Sequence, residues 1–314
     1  MSSPKPAKVP APRRPDGARK QLVRVMELSR RKHAPVKPPA RLTHPRTGRL
    51  VLIGSFARGV PPFLRNVHGF LAELTLNAGF SLQLSAGEDP RDLERAEGVL
   101  ITDPAWLTPE REAELRDSRR GFVMLTTRQP GPNTVFLDAS GAWIEFLLSA
   151  ERRKTTRILF LETHTGEGLP ALALPETLRK TFSRTRQLPL FQAIPKNIER
   201  PLSPLPPELM TDDTCLLTDD VDTALALSLP AEKPRKEGSR ERSGGFWTAC
   251  MLPAWDAPPL RSCSFLADPE DAAREMLHIL YRQMATGRTS DPGAILPILW
   301  SDGKTPAGRM IPLR

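Results

Sequence analysis

The 314-residue sequence is 39% hydrophobic and 26% charged, the balance of a globular chain rather than of a disordered or fibrous one. No stretch approaches the roughly 20 apolar residues that cross a bilayer, and the first 20 residues hold six Lys or Arg with no apolar run, so neither a membrane span nor a secretory signal is expected. The net charge of +9 is unevenly placed: residues 1–50 carry 14 Lys or Arg against Asp16 and Glu27, leaving 31 basic and 34 acidic side chains for the remainder.

A basic arm therefore precedes a mildly acidic body. The arm, residues 1–48, is broken by prolines such as Pro4, Pro6, Pro38 and Pro39, which suppress regular structure over most of its length. Only Ala18 to Lys32 has a helical pattern, with Leu22, Val25, Met26 and Leu28 as a thin apolar stripe. Its basic side chains Arg19, Lys20, Arg24, Arg30, Arg31 and Lys32, preceded by Arg13 and Arg14, suit DNA phosphates, RNA or an acidic protein surface equally well. A solvated tail is the alternative.

From Arg49 onward, short apolar runs alternate with helical stretches, as in βαβ units around a parallel sheet. Leu50 to Ile53 reads as a buried strand and residues 54–59 as a loop. Pro61 and Pro62 open a helix with Phe63, Leu64, Val67, Phe70, Leu71, Leu74 and Leu76 near helical spacing, stopped by Gly79. Strands follow at Phe80 to Leu84, Gly98 to Ile101, Gly121 to Leu125 and Thr134 to Leu137, and a helix at Thr108 to Arg116 has Thr108 as its cap. A second series begins with a helix over Ala139 to Ala150 capped by Asp138. Strands at Arg157 to Leu161, Leu188 to Ile194 and Thr214 to Leu217 come next, with helices at Leu172 to Phe182 and from Asp219 or Asp220 to Leu229. Residues 230–245 read as a charged linker. Phe246 to Leu252 and Arg261 to Leu266 are strands. Pro269 to Ala285 is the clearest helix, with Ala273, Met276, Leu277, Leu280 and Met284 on one side and Gly287 as its stop, and Ala294 to Trp300 is the last strand.

This order resembles the effector-binding region of the LacI/GalR transcription factors, itself similar to periplasmic sugar-binding proteins. The resemblance rests on RLVLIGSFARGVPPFLRNVHGFLAELTLNAGFSLQL, EGVLITDP, GFVMLTTR, VFLDASGAWIEFLLSAERRKTTRILFL, TCLLTDDVDTALAL and DPEDAAREMLHILYRQMATGR with AILPILW. It implies an α/β fold of two doubly wound parallel-sheet subdomains with a ligand cleft: 49–150 with 267–290 returning to it, and 151–266 with 291–314. Residues 1–48 hold neither the family's helix-turn-helix nor its hinge helix, so the DNA-binding end is degenerate, replaced by the basic arm, or missing from the sequence. Asp219 and Asp220 sit one position off the family's usual distance to Ala224, and the 230–245 insertion displaces the strand that normally follows.

The resemblance further implies a small polar effector, sugar-like, held between the subdomains by stacking and by charged or amide groups. Residues at the carboxyl ends of predicted parallel strands, where open sheets place ligands, are Phe56, Phe63, Asp103, Arg128, Asp138, Asp220, Trp255 and Asp256. Each has a plainer reading: core packing for Phe63, helix caps for Asp138 and Asp220, solvation for Arg128. No P-loop, GxGxxG, GxSxG or HExxH occurs, the five histidines are scattered, and Cys215, Cys250 and Cys263 are spaced too widely for a metal knuckle. A non-enzymatic cytoplasmic regulator without cofactor or metal is expected, with DNA, an effector and a second copy of itself as partners. A sensor or scaffold that has lost DNA binding, and a small-molecule enzyme on the same fold, are the alternatives.

Overall fold

The computed structural model describes residues 48–56, 60–89, 91–162, 190–195, 211, 213–218, 247–251 and 263–301. They form two six-stranded sheets. The first has the order β11-β5-β4-β3-β1-β2, built from β1 (Arg49–Ile53), β2 (Ser81–Ser85), β3 (Gly98–Ile101), β4 (Gly121–Thr126), β5 (Thr134–Asp138) and β11 (Ala294–Pro297), all parallel. The second has the order β12-β10-β9-β8-β6-β7: β6 (Arg157–Glu162), β7 (Leu190–Pro195), β8 (Thr214–Thr218), β9 (Trp247–Met251) and β10 (Cys263–Leu266) run parallel, and β12 (Leu299–Ser301) is antiparallel at the edge. This is the expected two-sheet α/β architecture.

Leu50, Val51, Leu52 and Ile53 on β1, and Val99, Leu100 and Ile101 on β3, are all fully buried. Unbroken apolar runs are what a parallel strand covered on both faces requires. Five helices are described: α1 (Pro62–Asn77), α2 (Arg91–Glu94), α3 (Pro109–Asp117), α4 (Ser140–Arg152) and α5 (Pro269–Thr286). α1 packs on α5 and β2, and α5 also lies on β3, β4 and β5. The capping signals act as the sequence predicts. Thr108 accepts from the Arg111 amide at 3.3 Å, and Gly287 leaves α5 at φ 65°. The N-cap of α5 is Asp268, whose Oδ1 accepts from the amides of Glu270 at 2.8 Å and Asp271 at 3.4 Å.

Three expectations need correction. The apolar stretch Ala294 to Trp300 is two strands, not one: β11 joins the first sheet beside β5, and β12 joins the second beside β10. Assigning all of 291–314 to the second series therefore fails at β11. The break falls at Pro297, which has no amide to continue a ladder, and at Ile298, whose amide donates to the Asp138 carbonyl at 2.8 Å. The helix ending the first series, α4, packs against β12 of the second sheet. Its Phe146 lies 5.3 Å from the Trp143 ring, 5.6 Å from Trp247 and Phe265, and 5.3 Å from Trp300, all centroid to centroid. Burying these rings together fixes α4 to the second sheet, although the chain reaches it from β5. Leu76, read as part of the α1 stripe, is 73% exposed, and Thr75 is buried in its place. The predicted helices at Leu172 to Phe182 and Asp219 to Leu229, the 230–245 linker and the basic arm lie outside the described residues.

Candidate functional site at the carboxyl ends of the first sheet

Parallel strands direct their carboxyl ends to one edge, and in the first sheet that edge gathers the loops after β1, β3 and β4 and the start of α4. Adjacent strands β1, β3, β4 and β5 set these positions over three inter-strand spacings, roughly 14 Å. Phe56 follows β1 and is 39% exposed. Asp103 follows β3. Its Oδ1 accepts from the Ala105 amide at 3.0 Å and its carbonyl from the Trp106 amide at 3.1 Å. Asp138 closes β5, and its Oδ1 accepts from the Ser140 amide at 2.9 Å. It thus caps α4 from one residue before the N-cap position, where Ala139 has no side-chain acceptor. Each carboxylate keeps its second oxygen clear of the bonds named here.

Two candidates take their plainer role. Phe63 is 1% exposed and belongs to the core, because the first turn of α1 turns it toward the sheet. Arg128 lies two residues beyond β4 with an exposed side chain, its backbone amide bonded to Thr126 Oγ1 at 3.1 Å. Asp220, Trp255 and Asp256, and the arm residues Arg13, Arg14, Arg19, Lys20, Arg24, Arg30, Arg31 and Lys32, lie outside the described residues.

The structure adds a pair that sequence reading missed. His68 on α1 brings Nε2 to 2.8 Å from Thr102 Oγ1, and its ring sits 5.1 Å from that of Phe56. Thr102 is fully buried immediately after β3, with its hydroxyl 3.3 Å from the Ile53 carbonyl. Burial lowers the His68 pKa from 6.5 to about 4, so the ring is neutral at physiological pH. The signal was present: position 68 stands four residues after Leu64 and three before Leu71, both buried, so a polar side chain interrupts an apolar helix face. Gly54 makes the approach feasible, since a Cβ there would clash with Thr102 Oγ1.

The loops carrying these residues are braced from the side. The Asp92 carboxylate accepts from Ser85 and, at 2.7 Å, from Gln83 Nε2. Trp106 Nε1 donates to the Gly87 carbonyl at 3.0 Å, while the Arg111 guanidinium lies 4.8 Å over the indole and donates to the Trp106 carbonyl at 2.9 Å. The loop presenting Asp103 is therefore tied to the loop after β2. Among the described residues no cluster of His, Cys, Asp or Glu could hold a metal ion, and no helix is long and apolar enough to cross a membrane. Cys215, Cys250 and Cys263 are free and buried in the second sheet.

Solved structures share this arrangement across both sheets. The Lac repressor bound to ONPG superposes with a TM-score of 0.60 at 13% identity, covering 91% of this chain and 95% of that one. The architecture is that of LacI-family regulators. A LacI family transcriptional regulator from Enterococcus faecalis V583 with bound ribose gives a TM-score of 0.57 at 14% identity, over 81% of this chain and 96% of that one. The trehalose repressor from Escherichia coli gives 0.57 at 16% identity, over 82% and 100%. No protein-family model matches the chain, and no curated protein matches it. At these identities the likeness establishes the LacI-type fold, the one implied by the sequence resemblance.

Proposed function

We propose that this protein is a ligand-responsive transcriptional regulator whose effector is sugar-like. The observation that carries the reading is the site itself: an exposed aromatic ring, Phe56, shares one sheet edge with Asp103 and Asp138, each with a carboxylate oxygen left to accept a hydroxyl. Ring stacking plus fixed acceptors is the chemistry that replaces a sugar's hydration shell. Solved proteins of the same fold are described with ribose or ONPG bound.

Effector binding would bias the arrangement of the two sheets, and the change would reach DNA through a dimer. A self-contact surface is offered by Leu76 at the end of α1, 73% exposed, and Leu84 on edge strand β2, 55% exposed; α1 and β2 pack together. Apolar side chains so exposed on neighbouring elements suit a covered face. The basic arm would supply an electrostatic, salt-sensitive DNA contact.

Fluorescence anisotropy of the full chain on DNA from upstream of its own gene, against scrambled DNA at two salt concentrations, tests the regulator reading. Preferential binding that is lost when Arg13, Arg14, Arg19 and Lys20 are replaced by alanine supports it. Equal binding to both DNAs reduces the arm to a polycation, and no binding removes the DNA partner. Sedimentation of Leu76→Lys with Leu84→Lys tests the dimer: a monomer is expected, and an unchanged dimer places the interface elsewhere.

A further inference from the structure

The hydrogen-bond pattern around His68 fixes which of its nitrogens carries the proton. The Thr102 hydroxyl has one proton and lies within bonding distance of two acceptors, the Ile53 carbonyl at 3.3 Å and His68 Nε2 at 2.8 Å. With the proton directed to the carbonyl, the shorter contact needs a proton on Nε2. A neutral imidazole carries only one. Nδ1 is then a bare lone pair. Gly54 holds this order in place, because the hydroxyl packs against a position where even a methyl group would not fit. Nδ1 has no hydrogen-bond partner among the described residues, and the ring is only partly buried, beside the exposed Phe56.

We propose that His68 is a ligand-contacting residue that determines specificity: its Nδ1 accepts a hydroxyl proton from a neutral polyol stacked on Phe56. This rests on the effector reading above and names the group that distinguishes one ligand class from another within that site. Nδ1 and the second oxygens of Asp103 and Asp138 are all acceptors, so the ligand must bring donors. Hydroxyls do; a carboxylate or phosphate placed against Phe56 would face lone pairs. His68 differs from the two aspartates in one respect. Its acceptor is uncharged and its tautomer is set by a buried neighbour, so it selects for a donor without attracting cations.

The test uses the full chain labelled with 15N-histidine. The His68 signals are identified by their loss in His68→Gln, and the Nδ1 and Nε2 shifts then report the tautomer directly. The expected result is protonated Nε2 and bare Nδ1 in the free protein. D-ribose, lactose and trehalose are then titrated by calorimetry and by the same spectra, with ribose 5-phosphate as the anionic comparison. At least one neutral sugar is expected to bind and to move the Nδ1 signal, with ribose 5-phosphate weaker than ribose. His68→Phe, shown folded by circular dichroism, should weaken binding about three- to tenfold, the effect of one lost hydrogen bond. A protonated Nδ1 in the free protein overturns the proposal, whatever binds. A sugar that binds while Nδ1 stays unmoved overturns the contact and leaves the effector reading intact. Failure of all three sugars to bind overturns both. The Nδ1 measurement is made on the unsubstituted protein, so it decides even where His68→Phe does not fold.

Discussion

Replacing Gln283 isolates the contribution of a single buried amide to the first sheet. Gln283 on α5 is 2% exposed. Its Oε1 accepts from the Phe122 amide at 2.7 Å, and its Nε2 donates to the Phe122 carbonyl at 3.1 Å and to Asn133 Oδ1 at 2.9 Å. The reason lies in the ladder. Pairing between β4 and β5 begins only at Met124 with Thr134, so Phe122 has no strand neighbour on that side, and the side-chain amide of Gln283 supplies the missing rung. Gln283→Met keeps nearly the same shape and removes every one of these bonds. The Phe122 amide would be left buried without its acceptor, a cost of about 1–3 kcal/mol. The Phe122 carbonyl loses a donor as well, whereas Asn133 Oδ1 retains the Asp291 amide at 2.7 Å. Together these give a loss of about 2–4 kcal/mol, or on the order of 5–10 °C in melting temperature for a domain of this size. Urea unfolding followed by circular dichroism reads it as a lower midpoint at unchanged slope. A loss below about 1 kcal/mol would show that the amide is no substitute for a strand partner and refute the reasoning.

Three further outcomes follow from the same geometry. His68 has a folded pKa of about 4 against an ordinary 6.5, so the unfolded chain binds more protons between those values. Its contribution to stability is complete above about pH 6.5 and is lost as pH falls toward 4, by at most about 3 kcal/mol; the drop in urea midpoint between pH 7.5 and 4.5 should shrink in His68→Gln. Gly54→Ala should destabilise by about 1–3 kcal/mol, because its Cβ displaces the Thr102 hydroxyl. Adding Thr102→Ala to it should recover part of that loss, and simple additivity of the two in thermal melts would contradict the clash. Phe146→Ala empties the centre of the aromatic cluster and should cost about 3–5 kcal/mol in calorimetric unfolding; a loss below 2 kcal/mol would mean that the cluster closes around the void.

Local pattern exposed most of the framework. Continuous apolar runs such as Leu50 to Ile53 could only be strands covered on both faces, and the spacing of Ala273, Met276, Leu277 and Leu280 with Gly287 behind it defined α5. What stayed hidden was the destination of each element. The stripe of α4, with Trp143, Phe146, Leu147 and Ala150 buried, announces a helix with one buried face but not which sheet receives it. Ala294 to Trp300 looks continuous because both halves are largely apolar, and only Pro297 hints at the break. The site was legible in part for the same reason. Phe56, Asp103 and Asp138 follow from strand ends, which are local, whereas the His68–Thr102 pair joins positions 34 residues apart and exists only once α1 lies on β3.

The passage from β11 to β12 through Ile298 alone bears on how the molecule is synthesised. Both sheets receive their last strand from residues 294–301, so a nascent chain that has emerged only as far as Gly293 lacks an edge strand in each sheet. Trp300 is also still missing from the rings around Phe146. Domain-by-domain maturation during translation is thereby ruled out for the finished form of either half. A one-residue insertion at the crossing would carry the same penalty in a complete chain. It would shift β12 against its Phe265–Trp300 register and turn Trp300 to the opposite face of the second sheet.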